Sequence, residues 1–587
     1  MMMAKRQAVM KLGLWTLQAS AIATFTSPSF AQIAPDATLA EESSSLIQRS
    51  PIDFQIEGGS RRDINLFHSF STFNIENGGS VYFANPNGVE NIFTRVTGNN
   101  ISHIQGTLGV NGNANLFLLN PHGIIFGRNA RLDIQGSFVA TTADAVQFGN
   151  IGIFSVTNPQ IPSSLLSVNP SAFFLNQISS GKIVNQSQAT DSRDEIVGLQ
   201  VPIGKTLGLI GGEIDLIGGN LTASGGRIEL TAIAPGNQLP LQLTDKALSL
   251  NHQGAETFKN ITFSQNSRLS TSGQGGGTIQ VWGENIFLNS GSRLEAQTLG
   301  NIDGGGINIQ ANQLRLAEGT FISNLTLGAA NSDNLNLHAR ESIELIGAGF
   351  RDFERRFIAG PLTGNLNLAN LQTNAVLAGT LGVGRAGDII INTPSLLLKD
   401  GAIIANASLG TAKGGNIDIN ASSVAVIGSG LGTLTLFQGA AGNLNINTKK
   451  LSVRDGSAVS AITFSAGKGG NLNINASEYV EVASTPADTL TTTGLFTGSI
   501  LGTGAAGDIT IDTQRLYVRD TAQIFSGSGA RVNGNTIPVG GPGGNLIIRA
   551  TELVEIRGKP VAFLVLTALA SQTYTASPGG NITIDTG

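Results

Sequence analysis

The chain has 587 residues, 35 Lys and Arg against 40 Asp and Glu, 76 Gly, 27 Phe and no Cys. Its charged share is 13%, about half that of an average soluble domain, and so many glycines with so few charges describe a turn-rich sheet protein. The absent cysteines exclude disulfide stapling, and a net charge of -5 lacks the basic surplus of a nucleic-acid or polyanion binder.

The first segment is a targeting signal. Lys5 and Arg6 precede an apolar stretch from Ala8 to Phe25, broken by Lys11 and Gln18, and Ser29-Phe30-Ala31 supplies a small-x-small site before Gln32. Residues 1–31 are expected to be a cleaved secretory signal. An uncleaved anchor would need about 20 apolar residues without such breaks.

Two Asn-Pro-x-Gly turns follow, Asn85-Pro86-Asn87-Gly88 before Val89 and Asn120-Pro121-His122-Gly123 before Ile124. Proline presets φ at the second position, the asparagine side chain bonds backbone ahead of it, and glycine takes a φ that other residues resist. Each turn leads into a strand-like run, Val89 to Val96 or Ile124 to Phe126, so each marks a sharp corner between strands. Leu66-Phe-His-Ser-Phe70, Phe73-Asn-Ile75, Arg95-Val-Thr-Gly98 and Gly136-Ser-Phe-Val-Ala-Thr-Thr-Ala-Asp144 surround them. In this order the motifs resemble the secretion domain that opens filamentous haemagglutinin-type exoproteins of two-partner secretion systems, over roughly residues 32–250. The resemblance implies a partner, an outer-membrane β-barrel transporter whose periplasmic domains recognise the secretion domain before the chain threads out and folds. It assigns Asn85, Pro86, Asn87, Gly88, Val89, Asn120, Pro121, Gly123 and Ile124 as secretion-motif residues. His122 stands where the commoner second motif has Asn, and Gly88-Val89 where the first often has Leu.

From Asp144 to Val197 the pattern is irregular, and Phe173-Phe174 with Pro159, Pro162 and Pro170 indicates loops or a short extra element packed on the main body. Beyond residue 250 one unit recurs, as in Gly414-Gly-Asn-Ile-Asp-Ile-Asn-Ala421, Ala441-Gly-Asn-Leu-Asn-Ile-Asn-Thr448 and Gly469-Gly-Asn-Leu-Asn-Ile-Asn-Ala476. Its second glycine recurs at 387, 415, 442, 470, 507, 544 and 580, spacings of about 27 to 37 residues that describe a solenoid with inserted loops. Leu444 and Ile446 alternate with Asn443, Asn445 and Asn447, a period of two. A second strand at Leu451-Ser-Val453, a turn at Arg454-Asp-Gly456 and a third strand from Ala458 to Ile462 complete the coil. The predicted fold is therefore all-β, a right-handed parallel β-helix with three short strands per coil, over 251–587 as repeats and within 32–250 as secretion domain. The cluster Arg351 to Arg356 reads as a solvated loop between coils, and Val561 to Ala570 as a run too short to span a membrane and packed in a core. The sequence stops at Gly587 midway through a coil, which is expected of a fragment of a longer protein.

No catalytic constellation is predicted. Asp400, Asp455 and Asp520 recur at one point of the repeat after Lys or Arg, where their period indicates turn capping rather than acid-base work. The histidines lack metal-ligand spacing, His68 reads as a packed core residue, and no metal or cofactor is implied. The expected function is a secreted or surface-exposed adhesin with a cell-surface glycan or protein receptor. The alternatives are a β-helix enzyme on polysaccharide, a passive fibre, or the stalk of a toxin whose active domain lies beyond residue 587.

Overall fold

The structure, a computed structural model, describes residues 32–587 apart from 176–180, 245–246, 256, 356–373, 488, 490–491, 533–534, 538 and 559–565. The expected signal, residues 1–31, and the residues 561–565 thus lie outside the described residues. Among those described, no helix is long and apolar enough to cross a membrane.

Successive turns of the chain stack in parallel, in register and without crossing, as a β-helix. On the first face Asn65–Phe73 pairs with Asn91–Val96, that strand with Asn115–Leu119, and that one with Phe138–Thr141. The second face runs through Ser102–Ile104, Gly123–Phe126 and Lys182–Asn185. The third runs from Asp53–Gly58 through Ser80–Ala84 and Thr107–Asn111 to Arg131–Asp133. The amino-terminal end is closed by antiparallel strands: Ile33–Pro35 against Asn65–Phe73, and Ser44–Gln48 against Asp53–Gly58.

In the repeats the expected first and second strands are one continuous element. Leu444–Arg454 pairs with Ile417–Ile427 and Leu472–Ala483 on both sides of a bend. Its alternation slips once, at the consecutive exposed residues Lys449 and Lys450, where the ladder is interrupted and the register toward Leu472–Ala483 shifts by one residue. The third face is separate, Ala458–Thr463 between Gly430–Thr435 and Gly494–Ser499. Three faces therefore arise from two hydrogen-bonded strands. Leu444, Ile446, Leu451, Val453 and Val459 are all fully buried in one continuous core, where each aliphatic side chain stabilises by about 1.5 to 3 kcal/mol.

The repeated Gly-Asn pair has two distinct physical causes. A Cβ on Gly442 would collide with the carbonyl oxygen of Gly415 in the coil before it, and Gly470 stands in the same relation to Gly442, so close approach excludes any side chain. The next residue caps its successor. Asn416 Oδ1 accepts from the Asn443 backbone N–H at 2.9 Å, and Asn443 Oδ1 from that of Asn471 at 3.0 Å. Asn443 is thus a backbone cap, not merely a solvated side chain. The Asp residues of the turns behave as expected of turn formers: Asp400 and Asp455 hold φ of 58° and 60°, each followed by a glycine with φ near 87°, the pair of left-handed residues of a tight turn.

The irregular segment is larger than the sequence indicated. Ala145–Phe148, Gly152–Ser155 and Ala172–Leu175 form an antiparallel sheet, which Asn237–Leu243 and Leu248–Leu250 extend. Residues 237–250 were not foreseen in it, because their alternation is equally that of a coil strand. The charged cluster also departs from a simple solvated loop. Phe350–Phe353 is a helical turn whose Phe353 is buried, and Phe350 and Phe353 lie over Gly456 and Gly430 on the third face. Arg351 and Glu354 pair at 3.0 Å, whereas Arg356 lies outside the described residues. Of the run 561–570, Leu566 is exposed, and Ala568–Thr573 is a half-buried strand of the third face whose Leu569 packs against the core.

Candidate partner-recognition region

The motifs of the first 150 residues are neighbouring rungs of the first face. Leu66-Phe-His-Ser-Phe70, Ile92 to Val96, Leu116 to Leu119 and Phe138 to Thr141 stand side by side in register. Their alternate side chains point inward to the helix core, Leu66, Ile92, Leu116 and Phe138 among them. The outward set is equally apolar. Phe67, Phe93 and Phe117 stack at centroid separations of 5.3 and 4.6 Å and are fully buried beneath Phe148, Phe154 and Phe173 of the antiparallel sheet. These strands read as unbroken apolar runs because both of their faces are covered.

At the start of these rungs Asn65, Asn91 and Asn115 form a side-chain ladder, with amide contacts of 3.0 and 2.9 Å. One end is tied to the added element, since Asn65 Nδ2 donates to the carbonyls of Leu166 and Val168, and at the other Asn115 Oδ1 accepts from the N–H of Ser137, just before the next rung. Reasoning from sequence missed this ladder. Its signal was an asparagine opening each of three apolar runs.

Arg95 is the largest fully buried side chain. It donates to Ser69 Oγ, to the carbonyls of Ser155 and Gln160 and to Thr38 Oγ1, and its guanidinium lies 4.5 Å from the Phe154 ring centroid. Desolvation pulls its pKa down to about 10, opposed by the charge of Asp36. One side chain thereby joins the amino-terminal cap, the β-helix and the antiparallel sheet.

The two Asn-Pro turns differ in exposure and lie at different corners. The first connects Ser80–Ala84 on the third face to Asn91–Val96 on the first. Pro86, Asn87 and Gly88 are exposed, Val89 is buried, and Gly88 takes φ of +81°. Val89 N–H donates to the Pro86 carbonyl at 3.1 Å and Arg61 to the Asn87 carbonyl at 2.9 Å. With its amide oriented to suit its neighbours, Asn85 accepts from the N–H groups of Asn113 and Ala114 in the next coil and donates to the Val89 carbonyl. The second turn connects the first face to the second and is buried. Asn120, Pro121, Gly123 and Ile124 are inside, with His122 half-buried. Asn120 Oδ1 accepts from His122 N–H at 3.0 Å, while its Nδ2 donates to the Asn100 carbonyl and Ser102 Oγ. The structure therefore places the nine motif residues in adjacent coils but not on one surface.

Elsewhere in the first 250 residues the buried titratable groups serve local structure. His68 is fully buried, bonded at Nδ1 to Ser44 Oγ at 2.9 Å, and burial takes its imidazole down to about 3. His103 is exposed. Glu229, buried against Arg227, is raised to about 7 because desolvation outweighs the attraction of the guanidinium. Among the described residues no group of three or more His, Cys, Asp or Glu is placed to hold a metal ion. The exposed apolar side chains Ile151, Ile153, Ile161, Leu165 and Val168 all lie on the added element.

Comparison with known proteins bears on this region. Residues 31–281 match the family model of the TPS secretion domain. A stretch of 81 residues is 37% identical to a heme/hemopexin-binding protein of Haemophilus influenzae, covering 14% of this chain and 9% of that protein. A structural match covers 83% of this chain and 99% of the HMW1 secretion domain of Haemophilus influenzae, at 18% identity and a TM-score of 0.40. The span matched by the family model contains every motif strand, both Asn-Pro turns, the Arg95 centre and the antiparallel sheet, so the similarity to the TPS secretion domain falls on the part of the chain that carries all of these features.

Proposed function

We propose that the chain is exported through an outer-membrane β-barrel transporter whose periplasmic domains recognise the secretion domain, and that outside the cell it serves as a non-enzymatic adhesin. The observation that carries this reading is the clustering of both Asn-Pro turns and their strands in successive coils inside the matched span. The repeats beyond residue 281 form the stalk and the binding surface. Support for a non-enzymatic role comes from the carboxylates of the repeat, which recur as left-handed turn residues.

Deleting residues 32–250 while keeping the signal is expected to leave the repeats in the periplasm, as read by protease accessibility on intact cells. Efficient surface appearance of the deleted form would overturn the assignment. The two turns separate recognition from folding. Pro86→Ala with Asn87→Ala, both exposed, should leave the melting temperature unchanged and lower export. Asn120→Ala should lower stability by about 1 to 3 kcal/mol, because it strips partners from buried polar groups. A paired change of Asn443 and Asn445 should leave export higher than the Asn120→Ala, Pro121→Ala pair does. Equal export of all these variants would remove any special role for the turns.

A further inference from the structure

Along most of the solenoid, outward polar side chains satisfy one another from coil to coil. Asn445 bridges Asp418 and Asn473 at 2.7 and 2.8 Å, and Arg519 pairs with Glu555 at 2.8 Å. One corner departs from this. Where the first face bends into the second, Trp282, Gln310, His338, Asn392 and Asn420 follow one another in register along one wall. Glu284, Asn312 and Arg340 rise on the other side, and the floor between is made of Gly283, Ala311, Ala339 and Thr393. Small floor residues beneath larger walls leave a hollow of about 500 Å³ that continues, through the shared His338 and Arg340, into a shallow open stretch beside Asn392 and Asn420. The groove spans four coil steps, about 20 Å at about 4.8 Å per step. Phe258 and Lys259 stand at its amino-terminal end.

Within this groove Lys259, Glu284, Gln310, His338 and Arg340 make no side-chain hydrogen bond or ion pair with any other described residue. Unfilled donors and acceptors of both kinds thus face one channel. Charges of both signs occur along it, so it favours neither a polyanion nor a polycation. The strands beneath are paired on both sides, leaving no edge for an added peptide strand. Planar amide, imidazole, guanidinium and carboxylate groups repeated from coil to coil suit the hydroxyl pairs of an extended sugar chain, and the aromatic pair Trp282 and Phe258, 5.9 Å apart, adds apolar surface at one end.

We propose that this corner groove, from Phe258 to Asn420, is a binding site for a neutral, extended, β-linked glycan, with Gln310, His338 and Arg340 as its central hydrogen-bonding residues. The proposal deepens the adhesin reading and rests on it only for display of the groove outside the cell.

The test is calorimetric titration of the full exported chain with neutral β-linked hexasaccharides of glucose, mannose, galactose and N-acetylglucosamine. The emission of Trp282 is a second readout, since the other tryptophan, Trp15, precedes residue 32. Saturable binding of at least one, shifting the Trp282 emission, is expected. Arg340→Ala and Gln310→Ala should each weaken it about five- to tenfold, and Arg454→Ala, in an ion pair elsewhere, should not. Absence of saturable binding across the panel would overturn the proposal. So would equal binding of a hexuronate hexasaccharide or an extended hexapeptide, or unchanged affinity in the Arg340→Ala, Gln310→Ala double variant. Cell adhesion tells the two readings apart. Adhesion lost on deleting the chain but kept by the double variant removes the groove, whereas titration that succeeds while deletion leaves adhesion intact removes the adhesin reading.

Discussion

At the scale of single residues, the secretion domain depends on a few polar side chains buried at unusual depth. His68 illustrates the sign of their pH dependence. Its pKa falls to about 3 in the fold from about 6.5 unfolded, so its contribution to stability is complete above pH 6.5 and is lost as pH falls toward 3. At pH 5 the loss is about 2 kcal/mol. Glu229 acts oppositely: raised to about 7, it contributes fully below its unfolded value of 4.5 and loses that contribution as pH climbs to 7. A single melting curve mixes both, so the difference between His68→Phe and the parent is the informative quantity. That difference should shift in favour of the variant as pH falls from 7 to 5, by urea denaturation, and a pH-independent difference would refute the assignment. Arg95 acts through geometry instead. Arg95→Met keeps the stem but strands the carbonyls of Ser155 and Gln160, and is expected to cost about 3 to 5 kcal/mol. Limited proteolysis should then cut first within residues 149–170.

At the scale of elements, what was legible in the sequence was whatever repeats. The alternation Leu444, Ile446 against Asn445, Asn447 gave the inside and outside of the strand, and Ile446 is indeed fully buried. Ile446→Asp should therefore cost several kcal/mol. The outer control must be chosen from the structure, because Asn445 donates to Asp418 Oδ1 and Asn445→Asp would set two carboxylates together. Lys449→Asp, exposed at the bend, is the neutral comparison, and equal protease resistance of Ile446→Asp and Lys449→Asp would reverse the inside-outside assignment. What stayed illegible is what occurs once. Residues 237–250 join the antiparallel sheet although nothing in their local pattern separates them from a coil strand. Phe67, Phe93 and Phe117 gave their rungs away as apolar, but which element covers them depends on chain 25 or more residues distant. The same holds for the candidate site. The Asn-Pro turns announced themselves by local chemistry, whereas the Asn65-Asn91-Asn115 ladder and the Arg95 centre exist only once coils are stacked.

At the scale of the whole molecule, stacking gives folding a direction. The amino-terminal end is closed by its antiparallel strands, and each later coil finds a template in the one before it: the Asn443 N–H takes its partner from Asn416, and the Asn471 N–H from Asn443. A coil without its predecessor lacks both its backbone partners and half of its apolar cover, so coils are expected to add in sequence from the capped end. If the chain leaves the pore unfolded and amino end first, each completed coil resists return and biases transport outward without nucleotide hydrolysis at the outer membrane. A tightly folded domain inserted into the chain tests this. Gly439 is a poor site, since it is stacked against Ala412 of the preceding coil. Ala487, exposed between Leu472–Ala483 and Gly494–Ser499, lies in one of the longer coils and tolerates additions better. A domain that folds stably in the periplasm, inserted after Ala487, should stall export with residues before it open to external protease and residues after it protected. The same domain carrying a destabilising substitution should pass. Full exposure on both sides of the stable insert would rule out threading of an unfolded chain, and with it the idea that stacking coil on coil drives the protein outward.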